Sequence, residues 1–342
     1  MGRPALIVGA VALLVLGIST QGISQSPPVW QPVGLPREGL RNGTSPSDAE
    51  RIASAGRHGI WVTAKGGKSW VGANDGRGWV PISYPPGVLV DELAFIDADH
   101  ASAVGVASGR GAWIASTVDG GKTWEPAQGL PAFGPGGFAG FADVQFFDRA
   151  FGIAVGGGNF DEGGRIMIAV THDGGASWKV QLLSTNDPSS ILVRVRFQSR
   201  SVVWAVGGES IYSSRDGGVS WQLEHREPAA TALSGLAVVQ GSGIFVTGGW
   251  GLVLRSRDSG ATWERVKMPP GIEHRYLCSL DFADARQGWI GGDEGTIIGT
   301  TDGGQTWHKE ETGTNGLVRD VAVVDSHVYA AGDDFFLLRR DR

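Results

Sequence analysis

Five aspartates recur in one eight-residue setting and are the first candidates for acid–base chemistry. Each stands in the pattern Ser/Thr-x-Asp-x-Gly-x-Ser/Thr-Trp, where x is any residue. Acid–base hydrolysis needs one pair of carboxylates, whereas this carboxylate returns once in every repeat. The repetition therefore predicts a structural role for these aspartates and for the tryptophan that ends each copy. These residues are Asp119, Asp173, Asp216, Asp258 and Asp302, with Trp124, Trp178, Trp221, Trp263 and Trp307.

The motif is an Asp-box, and its composition is that of a tight hairpin. An Asp carboxylate accepts hydrogen bonds from the N–H groups of its own turn, and Gly adopts positive φ at little cost. The Trp then starts the next strand and brings a large apolar side chain to a sheet–sheet contact. Thr63–Trp70 keeps the pattern with Lys65 in place of Asp, and we interpret it as a sixth copy. The rival segment Asp75–Trp79 is one residue short, and we interpret it as an insertion.

Arginines near the start of the predicted inner strands form a second group of candidates. Arg194 and Arg196 are two residues apart, which places them on one side of a strand. Arg275 and Arg319 hold roughly equivalent places in later repeats. We predict a binding site at these four arginines, because guanidinium groups bind carboxylates and phosphates bidentately. The alternative is that the arginines form internal ion pairs with acids that line a channel: Asp143, Asp281 and Asp320.

Signals for other chemistry are few. The one cysteine, Cys278, excludes an internal disulfide and a cysteine-based zinc site, and the seven histidines lack metal-binding spacing. A net charge of −6 does not favour binding to nucleic acid, which is itself negatively charged. Nucleophile-elbow, nucleotide-loop and redox motifs are missing from the sequence. We therefore predict no catalytic residue, no metal and no cofactor. A glycosidase whose two carboxylates are far apart in the chain stays open as the alternative.

The spacing of the hairpin tryptophans predicts the elements that hold these residues. Successive steps from Trp70 to Trp307 are 54, 54, 43, 42 and 44 residues. A period near 43 with strand-like segments is typical of a four-stranded propeller blade. The C-terminal segment supplies three strands without a fourth, and Trp30 begins a strand without partners. We predict an all-β fold, a seven-bladed β-propeller in which the N-terminal strand completes the last blade and leaves no open edge.

The longest predicted loops all fall on the face opposite the Asp-boxes, in the second and third blades. Binding residues favour loops on a rigid scaffold, so this face is the predicted binding face. Four aromatic residues are candidate exposed anchors there, with burial in the core as the alternative. The loops are Val71–Gly87, Ala107–Gly111, Pro126–Gly140 and Gly157–Gly164, and the aromatic residues are Trp250, Phe133, Phe138 and Phe141.

The N-terminus has the composition of an export signal. Arg3 precedes an apolar run from Ala5 to Ile18, which is followed by polar and small residues. We predict a signal peptide over residues 1–26 and a propeller domain over residues 27–342. An uncleaved membrane anchor is the alternative, although the run is short for a spanning helix. Either segment predicts export to the periplasm, the thylakoid lumen or the cell exterior.

The segment Gly288–Trp307 (GWIGGDEGTIIGTTDGGQTW) and its partial echo Trp204–Trp221 resemble the photosystem II assembly and stability factor family. The resemblance implies an exported seven-bladed propeller that engages a reaction-centre subunit through an arginine patch. It thus predicts a monomeric, non-catalytic protein that binds a membrane-complex subunit or assembly intermediate in a chaperone-like role. The alternative is a secreted glycan-binding or sialidase-like propeller. The local candidates for the patch are Arg194, Arg196, Arg275 and Arg319.

Overall fold

Twenty-eight β-strands make up the regular secondary structure of the part of the chain that the structure describes. The structure is a computed structural model and describes residues 29–35, 49–54, 59–64, 68–73, 77–108, 111–130, 139–160, 163–184, 191–228, 231–333 and 336–342. The strands form seven four-stranded antiparallel sheets. No helix in these ranges is long and apolar enough to cross a membrane. The predicted signal segment, residues 1–26, lies outside the described residues.

The first four blades follow one another along the chain, each with its innermost strand first. Blade one consists of β2 (Ala49–Ser54), β3 (Ile60–Ala64), β4 (Lys68–Gly72) and β5 (Val80–Ile82). Blade two consists of β6 (Val88–Phe95), β7 (Ala101–Ala107), β8 (Gly111–Thr117) and β9 (Glu125–Pro126). Blade three consists of β10 (Ala139–Phe146), β11 (Gly152–Phe160), β12 (Gly163–Thr171) and β13 (Lys179–Ser184). Blade four consists of β14 (Arg194–Phe197), β15 (Val203–Gly207), β16 (Ser210–Ser214) and β17 (Gln222–Arg226).

The last three blades repeat this order until the ring closes. Blade five consists of β18 (Gly235–Val239), β19 (Gly243–Thr247), β20 (Val253–Ser256) and β21 (Glu264–Arg265). Blade six consists of β22 (Leu277–Phe282), β23 (Gly288–Gly292), β24 (Ile297–Thr300) and β25 (His308–Glu310). Blade seven consists of β26 (Val318–Val324), β27 (His327–Gly332), β28 (Phe336–Asp341) and the N-terminal strand β1 (Gln31–Pro32).

The closure of the ring by the N-terminal strand, predicted from the sequence, is confirmed. β1 pairs antiparallel with β28, with Gln31 opposite Arg339, and so becomes the outer strand of blade seven. The innermost strands contact one another around a full circle, including β2 with β26. The seven-bladed β-propeller is therefore confirmed, and the innermost strands surround a central channel.

Apolar side chains fill the space between neighbouring blades. Between blades three and four, the buried residues Ile153, Ile168, Val195 and Val203 form one core cluster, and Trp221 packs against it. Such side chains alternate along their strands, so that each sheet presents an apolar surface to the blade on either side. The core is thus a ring of inter-blade layers, which holds the inner strands at fixed positions around the channel.

The Asp-box carboxylates are held inside their own hairpins. Asp216 accepts hydrogen bonds from the Ser220 N–H at 2.8 Å, the Ser220 hydroxyl at 2.6 Å and the Ser214 hydroxyl at 2.8 Å. These bonds, that of the Ser220 hydroxyl above all, lower the pKa of Asp216 to about 2. Gly217 and Gly218 in the same turn have φ values of 72° and 89°, which glycine adopts without strain.

The prediction of a sixth Asp-box with Lys65 is wrong. Trp70 lies inside β4, the third strand of blade one, and residues 65–67, outside the described part of the chain, join the second strand to the third. The outer strand β5 begins at Val80, eight residues after β4 ends at Gly72. The same step of eight separates Thr117 from Glu125 in blade two. Trp79 is therefore the hairpin tryptophan of blade one, and counting back from it places Asn74 where the other copies have Asp.

This correction also removes one of the four predicted long loops. Val71–Gly87 contains β5 and its hairpin, so it is not a single loop on the face opposite the Asp-boxes. Gly157–Gly164 is mainly strand, because β11 and β12 of blade three are extended at this end. Ala107–Gly111 is a short connection, since β7 ends at Ala107 and β8 begins at Gly111. Pro126–Gly140 is a connection between blades, of which residues 131–138 lie outside the described part. We call the hairpin side the Asp-box face and the opposite side the connection face.

Candidate binding site at the mouth of the central channel

A β-bulge near the start of the inner strands turns charged residues toward the channel. The pairing of first and second strands shifts by one residue in five blades, as it does between Val90 and Glu92. A bulge places two residues opposite one and re-aims the side chain that follows. The residues that follow the shifts are Arg51, Glu92, Asp143, Ser279 and Asp320.

Blade four adds Arg194 to this ring. Arg194 pairs with Val206, just as Asp143 pairs with Val155 in the preceding blade. Arg196 follows two residues later and lies deeper in the channel, on the same side of β14. A channel cavity of about 300 Å³ is lined by Glu92, Asp143, Arg194, Arg196, Ser279, Asp281 and Asp320.

The channel carboxylates are bound to backbone groups of the following blade. Asp143 accepts the N–H of Val195 at 2.8 Å and lies 2.7 Å from Arg196 Nη1. Asp281 accepts the N–H of Val323 at 2.7 Å, and Asp320 accepts that of Ile52 at 2.9 Å. Each of these acids therefore links two neighbouring blades. The pair of Arg196 with Asp143 is in addition an internal ion pair of the kind that the sequence left open as the alternative.

Burial and neighbouring charges raise the pKa values of two acids in the channel. Desolvation, reinforced by the nearby Asp143, raises the pKa of Glu92 far above its usual range, although Arg51 opposes the shift. Desolvation also raises the pKa of Asp281 to about 6, against the bonds that it accepts from Val323 and Phe282. The channel thus contains two acids that take up a proton more readily than exposed carboxylates do.

The mouth of the channel on the connection face is a distinct, cationic cavity, which we call the arginine cavity. It has a volume of about 460 Å³, and its charged lining consists of Arg51, Arg194 and Arg319 against Asp91. Arg194 is 4% exposed, and its Nη2 is 4.0 Å from Asp320 Oδ1. Arg51 Nε is 3.6 Å from Glu92 Oε2. Three guanidinium groups from blades one, four and seven therefore converge on one opening.

The structure places the four predicted arginines in three different surroundings. Arg194 and Arg319 line the arginine cavity, and Arg319 Nε is 2.5 Å from Asp333 Oδ1 at its rim. Arg196 lies deeper, against Asp143. Arg275 lies outside the lining and pairs with Glu294.

Sequence reasoning missed Arg51. Its repeat was placed in the wrong register, and the bulge that aligns it with Arg194 and Asp320 has no local sequence signature. Counting back from Trp79 would have given the correct strand for this arginine.

The predicted aromatic anchors differ in their exposure. Trp250 is 62% exposed on the connection face, whereas Phe141 is fully buried between blades two and three. Phe133 and Phe138 lie outside the described residues.

No group of three or more metal-ligating side chains occurs within the described ranges. The arrangement is suited to holding an anionic group by charge-assisted hydrogen bonds.

Fold and channel together define a seven-bladed Asp-box propeller with a cationic cavity at one mouth. The family model described as photosynthesis system II assembly factor YCF48 matches residues 187–274. The chain is 38% identical over 64 residues to the photosystem II assembly lipoprotein Ycf48 of Synechococcus sp. (strain CC9902), which is 18% of this chain and 19% of the relative. It is 26% identical over 163 residues to that of Nostoc sp. (strain PCC 7120), 47% of this chain and 45% of the relative.

Solved structures extend the likeness to the whole fold. YCF48 from Cyanidioschyzon merolae superposes with a TM-score of 0.67 at 17% identity, covering 91% of this chain and 98% of that one. A structure described as YCF48 bound to D1 peptide gives 0.66 at 14% identity, covering 94% and 96%. A streptogramin B lyase superposes with a TM-score of 0.69 at 14% identity, covering 92% of this chain and 97% of that one. At these identities the likeness to all three structures concerns the fold alone.

The predicted resemblance is thus confirmed: the chain is a propeller similar to photosystem II assembly factors. Its sequence matches span less than half the length of either curated relative.

Proposed function

We propose that this protein is a non-catalytic, exported propeller that binds a protein partner at the arginine cavity during assembly of a membrane complex. The observation that carries the proposal is the convergence of Arg51, Arg194 and Arg319 from three blades on one opening. Guanidinium groups bind carboxylates in a planar, bidentate way, and a cavity of about 460 Å³ has room for a chain end or an acidic side chain.

The comparisons support a protein as the partner. The curated relatives are named as photosystem II assembly factors, and one solved neighbour is described as bound to a D1 peptide. By analogy, the partner of this chain is a subunit or assembly intermediate of a membrane complex. The relatives are also named lipoproteins, which supports export of this chain through its N-terminal segment, residues 1–26. We infer that the domain over residues 27–342 acts as a monomer.

The hydrogen bonds of three of the four acids that line the described channel cavity support a non-catalytic role. Among the described residues, Asp143, Asp281 and Asp320 are each bound to backbone N–H groups of the next blade. Carboxylates engaged in this way serve the packing of the ring and are poorly placed to turn toward a substrate. The likeness to lyases and glycoside hydrolases concerns only the fold, which hosts many unrelated functions.

Chemical crosslinking in native membranes tests the proposal. The site variant replaces Arg51, Arg194 and Arg319 by Gln. The matched control replaces three arginines near the Asp-box face by Gln, with the same change in charge: Arg200, Arg215 and Arg257. We expect the site variant to lose its crosslinked partner and the control to keep it.

A further variant and a folding control complete the crosslinking experiment. Because Arg194 is buried, a double variant at Arg51 and Arg319 is compared as well, and thermal unfolding verifies that every variant is folded. The same partners with wild type and site variant would contradict binding at the cavity. Turnover of a glycoside by the purified protein, abolished by a single change at Glu92 or Asp281, would contradict the non-catalytic role.

A further inference from the structure

Trp250 is an exposed aromatic side chain on a strained turn. It lies between β19 and β20 with φ of +60°, and the next residue, Gly251, has φ of +64°. The Leu252 N–H donates to the Gly249 carbonyl at 3.2 Å. Two successive positive φ values in such a turn define type I′, whose central positions favour Asn, Asp and Gly. A bulky side chain rarely adopts this conformation, so a Trp that does points to a role beyond the turn itself.

Backbone hydrogen bonds fix this turn at the rim of the arginine cavity. The Gly249 N–H donates to the Thr231 carbonyl at 2.5 Å, and the Gly251 N–H donates to the Arg275 carbonyl at 2.7 Å. The residues that follow Thr231 and Arg275 in the chain, Ala232 and Tyr276, both line the cavity. The backbone that carries Trp250 is therefore fixed beside the opening.

The surroundings of Trp250 leave most of its ring accessible. Its edge meets the His274 ring, with centroids 5.8 Å apart and planes at 85°. The residue is nevertheless 62% exposed. Blade six has the corresponding turn, with Glu294 at φ of +50° and an ion pair to Arg275. The turn thus forms without an aromatic residue, so its geometry does not require one.

We propose that Trp250 is a specificity-determining anchor for the protein partner and binds an apolar side chain near the carboxylate held in the arginine cavity. This inference rests on the proposed function. The cavity lining contains three arginines against one aspartate, which fits an anionic group on the partner. Trp and Arg are both enriched among the few residues that carry most of the binding energy at protein interfaces. The occupant is a peptide segment that combines a carboxylate with an aromatic or aliphatic residue close to it.

A library of displayed peptides with free C-terminal carboxylates tests this specificity. It is panned on the wild type, on Trp250→Asn, and on the double variant Arg51→Gln/Arg319→Gln. Asn suits the positive φ, so we expect Trp250→Asn to keep or raise the thermal unfolding midpoint. The matched control is Val219→Asn, which changes a 73% exposed apolar residue in an Asp-box hairpin.

We expect the wild type and Val219→Asn to enrich peptides that pair an acidic group with an apolar residue. Trp250→Asn should keep the acidic preference, lose the apolar one and bind the enriched peptides at least about 10-fold more weakly. The same apolar preference in Trp250→Asn would overturn the anchor and leave the proposed function intact. Equal enrichment by the wild type and the arginine double variant would instead contradict the proposed function.

Discussion

The indole Nε1–H of Trp30 donates to Glu310 Oε2 at 2.8 Å, although the two residues are 280 positions apart in the chain. Glu310 also accepts the Nε1–H of Trp289 at 3.0 Å and pairs with Arg340. The Arg340 guanidinium lies 5.3 Å from the centroid of the Trp289 ring. One carboxylate of blade six thus binds Trp30, which directly precedes β1, and Arg340 in β28, so closure of the ring has a polar component besides the pairing of β1 with β28.

Replacing Glu310 by Ala should therefore destabilise the closed ring. The change removes the partner of Arg340 and of two largely buried indole N–H groups, and we expect a loss of about 2–4 kcal/mol in the free energy of unfolding. Urea denaturation measures it. The neighbouring Glu311→Ala changes an exposed carboxylate and should be nearly neutral. Equal effects of the two substitutions would show that the contacts of Glu310 do not stabilise the closure.

Two hairpin tryptophans should differ in their contribution to stability. Trp178 is 2% exposed and packs against Phe146, with ring centroids 6.0 Å apart. Trp221 is only partly buried between blades three and four. Because the cost of truncation grows with burial, Trp178→Ala should lose about 3–5 kcal/mol and Trp221→Ala less. Thermal unfolding of both variants tests the order, and a larger loss at Trp221 would contradict this packing.

The buried Asp281 should make stability depend on pH. Its folded pKa of about 6 lies above the ordinary value of 3.8, so the folded state binds more protons than the unfolded state between these values. The free energy of unfolding should therefore rise as pH falls from 7 toward 4. The contribution is fully present below the unfolded pKa and is lost as pH rises through 6. It amounts to at most roughly 3 kcal/mol.

Asp281→Asn should flatten this pH dependence, which urea unfolding at pH 7.5, 6, 5 and 4.5 measures. Asp284→Asn is a suitable control, because bonds from the Gln287 and Arg286 N–H groups lower the pKa of Asp284. Its contribution has the opposite sign: it is present above the unfolded pKa and is lost as pH falls through the lower folded value. An unchanged slope in Asp281→Asn would mean that Asp281 stays ionised in the channel.

Cys278 should react slowly with thiol reagents in the native protein. It lines the arginine cavity but is only 9% exposed, and burial raises the pKa of its thiol to about 12. Since the thiolate is the reactive form, we expect its reaction with Ellman's reagent at pH 8 to be at least about 100-fold slower than that of glutathione. Guanidinium should release one reactive thiol, and Cys278→Ser gives the baseline. Rapid labelling of the native protein would show that the thiol is accessible and ionised.

The sequence by itself determined the architecture. An Asp-box is a local structure in which an Asp bonds to residues at most four positions away, as Asp216 does with Ser214 and Ser220. Such a motif can be recognised in the sequence without knowledge of tertiary contacts, so its spacing predicted the blades. The unpaired strand after Trp30 predicted the closure of the ring. The first blade shows the limit of this approach. Trp70 and Trp79 both end plausible hairpins, and only the pairing of β4 with β5 decides between them.

The site was decided by the tertiary structure. Arg51, Arg194 and Arg319 belong to three blades, and they meet because the ring closes and their inner strands begin at the same mouth of the channel. A β-bulge shifts the side chains by one residue without a sequence signature, which is why Arg51 was missed. Burial is likewise a property of the assembled ring: it leaves Trp250 exposed while Phe141 is enclosed.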